Sequence, residues 1–190
     1  MIARTAAPRS LLSGLTCVRI LAVPAVMALI LLGPDRPSAY TAAAAVFAVA
    51  ATTDFVDGYV ARRWAVATKL GSFLDTTADK LLVSGALIAL VDVGRASAWI
   101  AVIIVGRELV IMGLRGVVAA DGTVFAPSIW GKLKTNVQFV AIFLAIVRWG
   151  EPLGPLYFDE WAMVVAAAIT VMSAVEYLAR FSSAFSEGVR

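Results

Sequence analysis

Apolar residues fall in six long stretches along this chain, at about 14–33, 38–62, 75–94, 97–119, 131–149 and 159–181. Each approaches the roughly 20 residues that a helix needs to cross a bilayer. The breaks between them are punctuated by turn-forming or charged residues: Gly33-Pro34-Asp35-Arg36-Pro37, Asp92 to Arg95, Asp121 to Pro127, and Gly150 to Pro155. Lipid offers no partner to an unpaired backbone group, so stretches of this length predict helices throughout. The expected fold is therefore all-α and polytopic, with six transmembrane helices. A short interfacial helix carrying Arg4 and Arg9 is expected to precede the first of them. No internal repeat or low-complexity linker divides the chain, and residues 1–190 are read as one membrane domain.

Composition strengthens that picture. Hydrophobic residues make up 61% of the 190 positions and charged residues 15%, against roughly 25% charged in an ordinary soluble domain. A small soluble core cannot absorb so much apolar sequence. The run after Arg9 is longer than a signal-peptide core and contains Arg19 and Pro24, so it is read as a retained span. Basic residues are concentrated on one side of the spans: Arg4, Arg9, Arg62, Arg63, Lys69, Lys132, Lys134, Arg180 and Arg190, against Arg36, Arg95 and Arg148 on the other. That bias predicts cytoplasmic termini and a cytoplasmic loop between spans two and three. The net charge of +3 suits an anionic membrane surface, and no basic stripe interleaved with aromatics points to nucleic acid.

Two absences narrow the chemistry. Histidine is missing and Cys17 is the single cysteine, so His catalysis, intramolecular disulfides and Cys/His zinc sites are excluded. A metal here must be held by oxygen, which favours Mg²⁺ or Mn²⁺.

Asp54 and Asp57 lie three apart near the end of the second stretch, and Asp75 and Asp79 four apart at the start of the third. Both spacings place two carboxylates on one helix face. Four converging carboxylates would repel one another, and hard divalent cations relieve that repulsion. Two such ions about 4 Å apart can clamp a diphosphate and offset charge as an alcohol attacks. Gly58 and Gly71 let a ligand approach the backbone, Ala61 keeps the same face low, and Arg62 can reach a phosphate.

The full pattern, D-x2-D-G-x2-A-R-x8-G-x3-D-x3-D from Asp54 to Asp79, resembles the signature of the CDP-alcohol phosphotransferase family without gap or substitution. The resemblance extends from Leu12 to about Ala145, through Gly106-Arg107-Glu108 and Gly131-Lys132-Leu133-Lys134-Thr135. It implies that Asp54, Asp57, Asp75 and Asp79 hold two divalent ions and that Asp79 is the general base. It places the CDP-lipid near Ser13, Thr16, Arg19, Gly58, Ala61, Arg62, Thr68 and Gly71, with Ser13 standing where relatives commonly carry Asn. The implied reaction joins CDP-diacylglycerol to an alcohol at the cytoplasmic face of a bacterial inner membrane, in a homodimer surrounded by membrane lipids.

The acceptor rests on different residues. Arg107 and Arg115 are eight apart and roughly share a helix face, and Lys132 and Lys134 open the fifth stretch. These cations suit the phosphate of glycerol 3-phosphate. Phosphatidylglycerol or an inositol phosphate are the alternative acceptors. The bland alternative pairs Arg107 with Glu108 or Glu176 and leaves the lysines as inside-loop markers. A divalent-metal carrier would place acids mid-span in repeated halves, whereas here they cluster at one end. Trp64, Trp99, Trp130, Trp149 and Trp161 fit interface anchors, and Gly85, Gly106, Gly113 and Gly116 fit close helix packing or a dimer contact.

Overall fold

The computed structural model describes the backbone of residues 6–64, 69–120 and 129–188, and side chains at 18–53, 73–74, 76–119, 130–131 and 133–182. Among the described residues there are six helices: α1 (Ala6–Leu32), α2 (Ser38–Trp64), α3 (Lys69–Asp92), α4 (Ala98–Ala120), α5 (Ile129–Val147) and α6 (Phe158–Gly188). No strand occurs among them beyond an isolated antiparallel bridge between Leu153 and Leu156.

Three helices outrun their apolar stretches by more than two residues, α1 among them from Ala6. α3 begins at Lys69 and α6 continues to Gly188. Hydropathy marks where a helix is apolar, not where its backbone bonds stop. The expected short N-terminal helix is not a separate element, because α1 runs unbroken from Ala6. Pro8 falls in its first turn, where an N–H has no intrahelical acceptor to lose. Pro24 lies further inside the helix. By length and composition alone, one helix among the described residues carries an apolar run long enough to cross a membrane, Phe158–Ser182 in α6. Charged positions interrupt the runs of α3 and α4, among them Asp79, Lys80, Arg107, Glu108 and Arg115.

The chain forms two compact units, Met1–Arg95 and Ala96–Arg190. In the first, α1 packs against both α2 and α3, which touch each other only lightly. Arg19, Val26 and Ile30 lie on one buried stripe of α1, at spacings of seven and four. Phe47 from α2 and Leu82, Leu87 and Leu90 from α3 complete this core. Gly85 permits the close approach of α3 to α1: a Cβ there would lie 2.9 Å from Val23 Cγ1 and 3.0 Å from Met27 Sδ. After α1, a Cβ at Gly33 would run into the Tyr40 ring. The same ring carries the Arg95 guanidinium, 3.4 Å from its centroid.

In the second unit, α5 and α6 lie against each other and α4 packs on α6. Ile104, Ile142, Ile146 and Met163 are fully buried. The α5–α6 turn is built around Arg148, a non-glycine residue at φ 41° that ends α5 in the left-handed region. Its guanidinium lies 3.2 Å from buried Asp159 and 3.3 Å from Glu160, over the Tyr157 ring. Glu160 also accepts the Tyr157 N–H at 2.9 Å, the backward half of a capping box at the start of α6.

The outer surfaces of both units are apolar. Leu21, Val49, Ile88, Val102, Leu109, Val140, Val165 and Val175 all have more than half of their surface exposed. Patches of that extent mark contact with lipid or protein rather than water.

Candidate active site

Arg19 is the anchor of the first unit. A guanidinium with no exposed surface inside an apolar bundle needs full compensation, because an unpaired buried charge costs several kcal/mol. Its Nη1 lies 3.4 Å from Asp79 Oδ1 on α3. Its Nε donates to the Ala50 carbonyl on α2, also at 3.4 Å. One side chain of α1 therefore ties all three helices together. The Ala50 carbonyl also accepts the Thr53 hydroxyl at 2.7 Å. Thr52 and Thr77 likewise return their hydroxyls to carbonyls of their own helices, at Ala48 and Phe73.

Asp79, the last position of the signature, keeps 23% of its side chain exposed. Held on one oxygen by Arg19, it is a fixed carboxylate at the edge of the bundle. Positions 54, 57, 58, 61 and 62 lie in α2, and 71, 75 and 79 in α3, so the signature occupies two neighbouring helices. The side chains of Ser13, Thr16, Asp54, Asp57, Ala61, Arg62, Asp75 and Lys132, the surroundings of Gly58 and Gly71, and all of Thr68, lie outside the described residues. Among the described residues no three His, Cys, Asp or Glu side chains converge on a metal position, Asp79 being the one described member of the four. The donor set fits a hard cation: four carboxylates, paired by helical spacing, in a chain without histidine.

The second unit contains a different cluster. Glu108 is buried in α4, and its Oε1 accepts both Lys134 Nζ from α5 and Arg107 Nη1, the latter at 3.3 Å. Arg107 Nη2 donates to Ser173 Oγ on α6 at 2.8 Å. One turn along α5, buried Gln138 donates to Thr170 on α6 at 2.8 Å, and the Thr170 hydroxyl donates in turn to the Ala166 carbonyl. This polar ladder links α4, α5 and α6.

Of the four expected acceptor cations, Arg107 and Lys134 are thus brought to one carboxylate. Arg115 is exposed on α4. The expected pairing of Arg107 with Glu108 is present, whereas Glu176 pairs with Arg180 at 2.6 Å. Ser173, Thr170 and the bridging role of Glu108 had no readable signal. Small hydroxyls in an alanine-rich helix barely alter hydropathy, and adjacency to Arg107 does not reveal a lysine arriving from another helix. Gly85 is tightly packed, while a Cβ at Gly106, Gly113 or Gly116 would meet open space.

A family profile described as CDP-alcohol phosphatidyltransferase matches residues 11–172. The chain belongs to this family. The match runs from before Arg19 to just beyond Thr170, so it spans Arg19, Asp79, Arg107, Glu108 and Lys134 and stops short of Ser173. Among similar relatives is a CDP-diacylglycerol–glycerol-3-phosphate 3-phosphatidyltransferase of Bacillus subtilis, 44% identical over 146 residues, covering 76% of this chain and 75% of that protein. A probable phosphatidylglycerophosphate synthase of Mycobacterium tuberculosis is 42% identical over 184 residues, 94% of this chain and 85% of its own length. A CDP-diacylglycerol–glycerol-3-phosphate 3-phosphatidyltransferase of Pseudomonas fluorescens is 36% identical over 177 residues, 86% of each chain. The Mycobacterium tuberculosis match, over 94% of this chain, reaches well into α6, so the likeness is not confined to the aspartate signature.

Proposed function

We propose that this membrane enzyme transfers the phosphatidyl group of CDP-diacylglycerol to sn-glycerol 3-phosphate, giving phosphatidylglycerophosphate and CMP. The observation that carries the reading is an unbroken aspartate signature ending at Asp79 in a chain similar to relatives named CDP-diacylglycerol–glycerol-3-phosphate 3-phosphatidyltransferase. The new bond forms between the acceptor hydroxyl oxygen and the phosphatidyl phosphorus. The bond to the CMP oxygen breaks, and the acceptor proton passes to a base, for which Asp79 is the proposed group. Arg19 aims that carboxylate, and a base must be held within hydrogen-bond reach of the proton it takes.

Asp54, Asp57, Asp75 and Asp79 are the proposed ligands of Mg²⁺ or Mn²⁺, in a two-ion arrangement. Such ions supply charge neutralisation for the diphosphate and the leaving CMP. Gly58, Ala61 and Gly71 form the proposed low floor for the nucleotide, with Ser13, Thr16, Arg62 and Thr68 as its polar contacts. Arg107, Arg115, Lys132 and Lys134 receive the acceptor phosphate. The Nε of Arg107 is buried without a protein partner among the described residues, a donor still available to an anion.

All six helices are proposed to cross the bacterial inner membrane, with the termini and the active site cytoplasmic. The outward apolar side chains of both units suit that placement, and the bias of basic residues sets the orientation. The uncovered small-residue positions of α4 suit a homodimer. Both units serve one functional domain.

The test is direct. Purified protein in detergent is given CDP-diacylglycerol, Mg²⁺ or Mn²⁺, and each candidate alcohol, with CMP release as the readout. Release with glycerol 3-phosphate is expected. Release with phosphatidylglycerol instead would transfer the assignment to a cardiolipin-forming enzyme, and no release with any alcohol would end it.

A further inference from the structure

The cations assigned to the acceptor phosphate do not stand alone. Arg107 keeps only 9% of its side-chain surface exposed and Lys134 only 7%, and both engage one oxygen of Glu108, itself 6% exposed. We infer that Glu108 is a positioning residue for acceptor recognition: a buried carboxylate that fixes two cations, on two different helices, in the geometry a phosphate requires. This rests on the proposed assignment of Arg107 and Lys134 to the acceptor.

Two observations carry it. First, a lysine has a long, freely rotating stem, and its ammonium presents no fixed fork. Lys134 gains a defined position only through a partner, and its partner on α4 is Glu108. Second, Arg107 is held on both terminal nitrogens, Nη1 by Glu108 and Nη2 by Ser173, which sets the plane of the guanidinium. Its buried Nε has no protein partner among the described residues. A purely structural arginine would be expected to have that donor satisfied as well.

Glu108 thus does two jobs. It lets two like charges approach in an apolar interior, and it orients them. The carboxylate need not touch the acceptor for its loss to weaken binding.

The experiment uses the full-length protein in detergent and compares Glu108→Gln, which keeps shape and removes charge, with Glu108→Asp, which keeps charge. Arg107→Gln and Lys134→Met serve as direct probes of the cations. Hydrogen bonds to charged groups carry about 10- to 100-fold in binding. Glu108→Gln is therefore expected to raise the KM for glycerol 3-phosphate by at least about tenfold while the KM for CDP-diacylglycerol stays within about twofold. Glu108→Asp should recover part of the loss. In a Lys134→Met background the Glu108→Gln effect should shrink, because the two act as one unit. An equal rise in both KM values, or a lowered thermal midpoint with both KM values unchanged, would reduce Glu108 to a packing residue. Should Glu108→Gln fail to fold, the same KM comparison on Glu108→Asp decides: an acceptor-selective rise supports positioning and a uniform change overturns it. If Arg107→Gln and Lys134→Met leave the glycerol 3-phosphate KM unchanged, the acceptor assignment itself falls. If they raise it and the Glu108 variants do not, the positioning role alone is lost.

Discussion

Arg19 and Asp79 face each other across the α1–α3 contact, Nη1 to Oδ1 at 3.4 Å, with the arginine fully buried and the aspartate 23% exposed. The same arginine reaches the Ala50 carbonyl of α2. Fold and chemistry therefore meet in one side chain, which closes the three-helix unit and aims the proposed base.

Arg19→Ala should damage both. Removing one partner of a buried pair costs up to about 3–5 kcal/mol, and less here because Asp79 retains contact with solvent. A lowered thermal midpoint and near-complete loss of CMP release are expected. Arg19→Lys should be intermediate, since one ammonium cannot fork between a carboxylate and a carbonyl as a guanidinium does. A folded Arg19→Ala enzyme with wild-type turnover would remove Arg19 from the catalytic picture.

Asp79→Asn separates chemistry from binding. The amide keeps the shape but cannot accept the acceptor proton as a carboxylate does. Turnover should fall by about a hundredfold or more, within the usual contribution of general base catalysis. Binding of CDP-diacylglycerol, followed by calorimetry, should remain detectable because the other signature residues are intact. Normal turnover would mean that Asp79 is not the base.

Chelation probes the carboxylate cluster as a whole. EDTA should abolish CMP release, and added Mg²⁺ or Mn²⁺ should restore it and raise the thermal midpoint, because a ligand binding only the folded state stabilises it. The rise should be lost in an Asp54→Asn/Asp75→Asn variant. An EDTA-treated enzyme that keeps full activity would exclude the metal assignment.

How much of this was legible beforehand follows from what each signal measures. The six helices were legible because long apolar stretches and their Gly/Pro breaks are local features. The start of α3 at Lys69 was not, because its first turns are polar and hydropathy is blind to them. The signature was legible because it is a spacing pattern within 26 consecutive residues, Asp54 to Asp79. The Arg19–Asp79 contact was hidden: these residues are far apart in sequence, and each had a separate role of its own. Arg107 with Glu108 was foreseen as a neighbouring pair. Lys134 completing that pair from α5 depends on helix packing, which no local pattern encodes. Gln138 on Thr170 is hidden for the same reason.

Gly33→Ala tests packing alone. Its Cβ would enter the Tyr40 ring, and Tyr40 would have to leave its stacked position under Arg95. Overpacking of this kind costs about 1–3 kcal/mol. The thermal midpoint should drop while the KM values at low temperature stay at wild-type levels. A wild-type midpoint would show that the Tyr40 ring yields without cost.

Arg115 gives the sharpest contrast with the buried cations. It lies on α4 eight residues beyond Arg107, roughly on the same face, but is exposed. An exposed guanidinium can meet a soluble phosphate without first breaking an internal bond, so Arg115→Ala should affect binding without affecting the fold. The KM for glycerol 3-phosphate should rise by about tenfold, the scale of one charge-assisted contact. The KM for CDP-diacylglycerol and the thermal midpoint should not move. Arg107→Ala should instead change both KM and midpoint, because it also removes one partner each from Glu108 and Ser173 inside the bundle. Equal changes in the two KM values for Arg115→Ala would argue that this arginine meets a group common to both substrates. An unchanged pair would leave the acceptor phosphate to the buried cations alone.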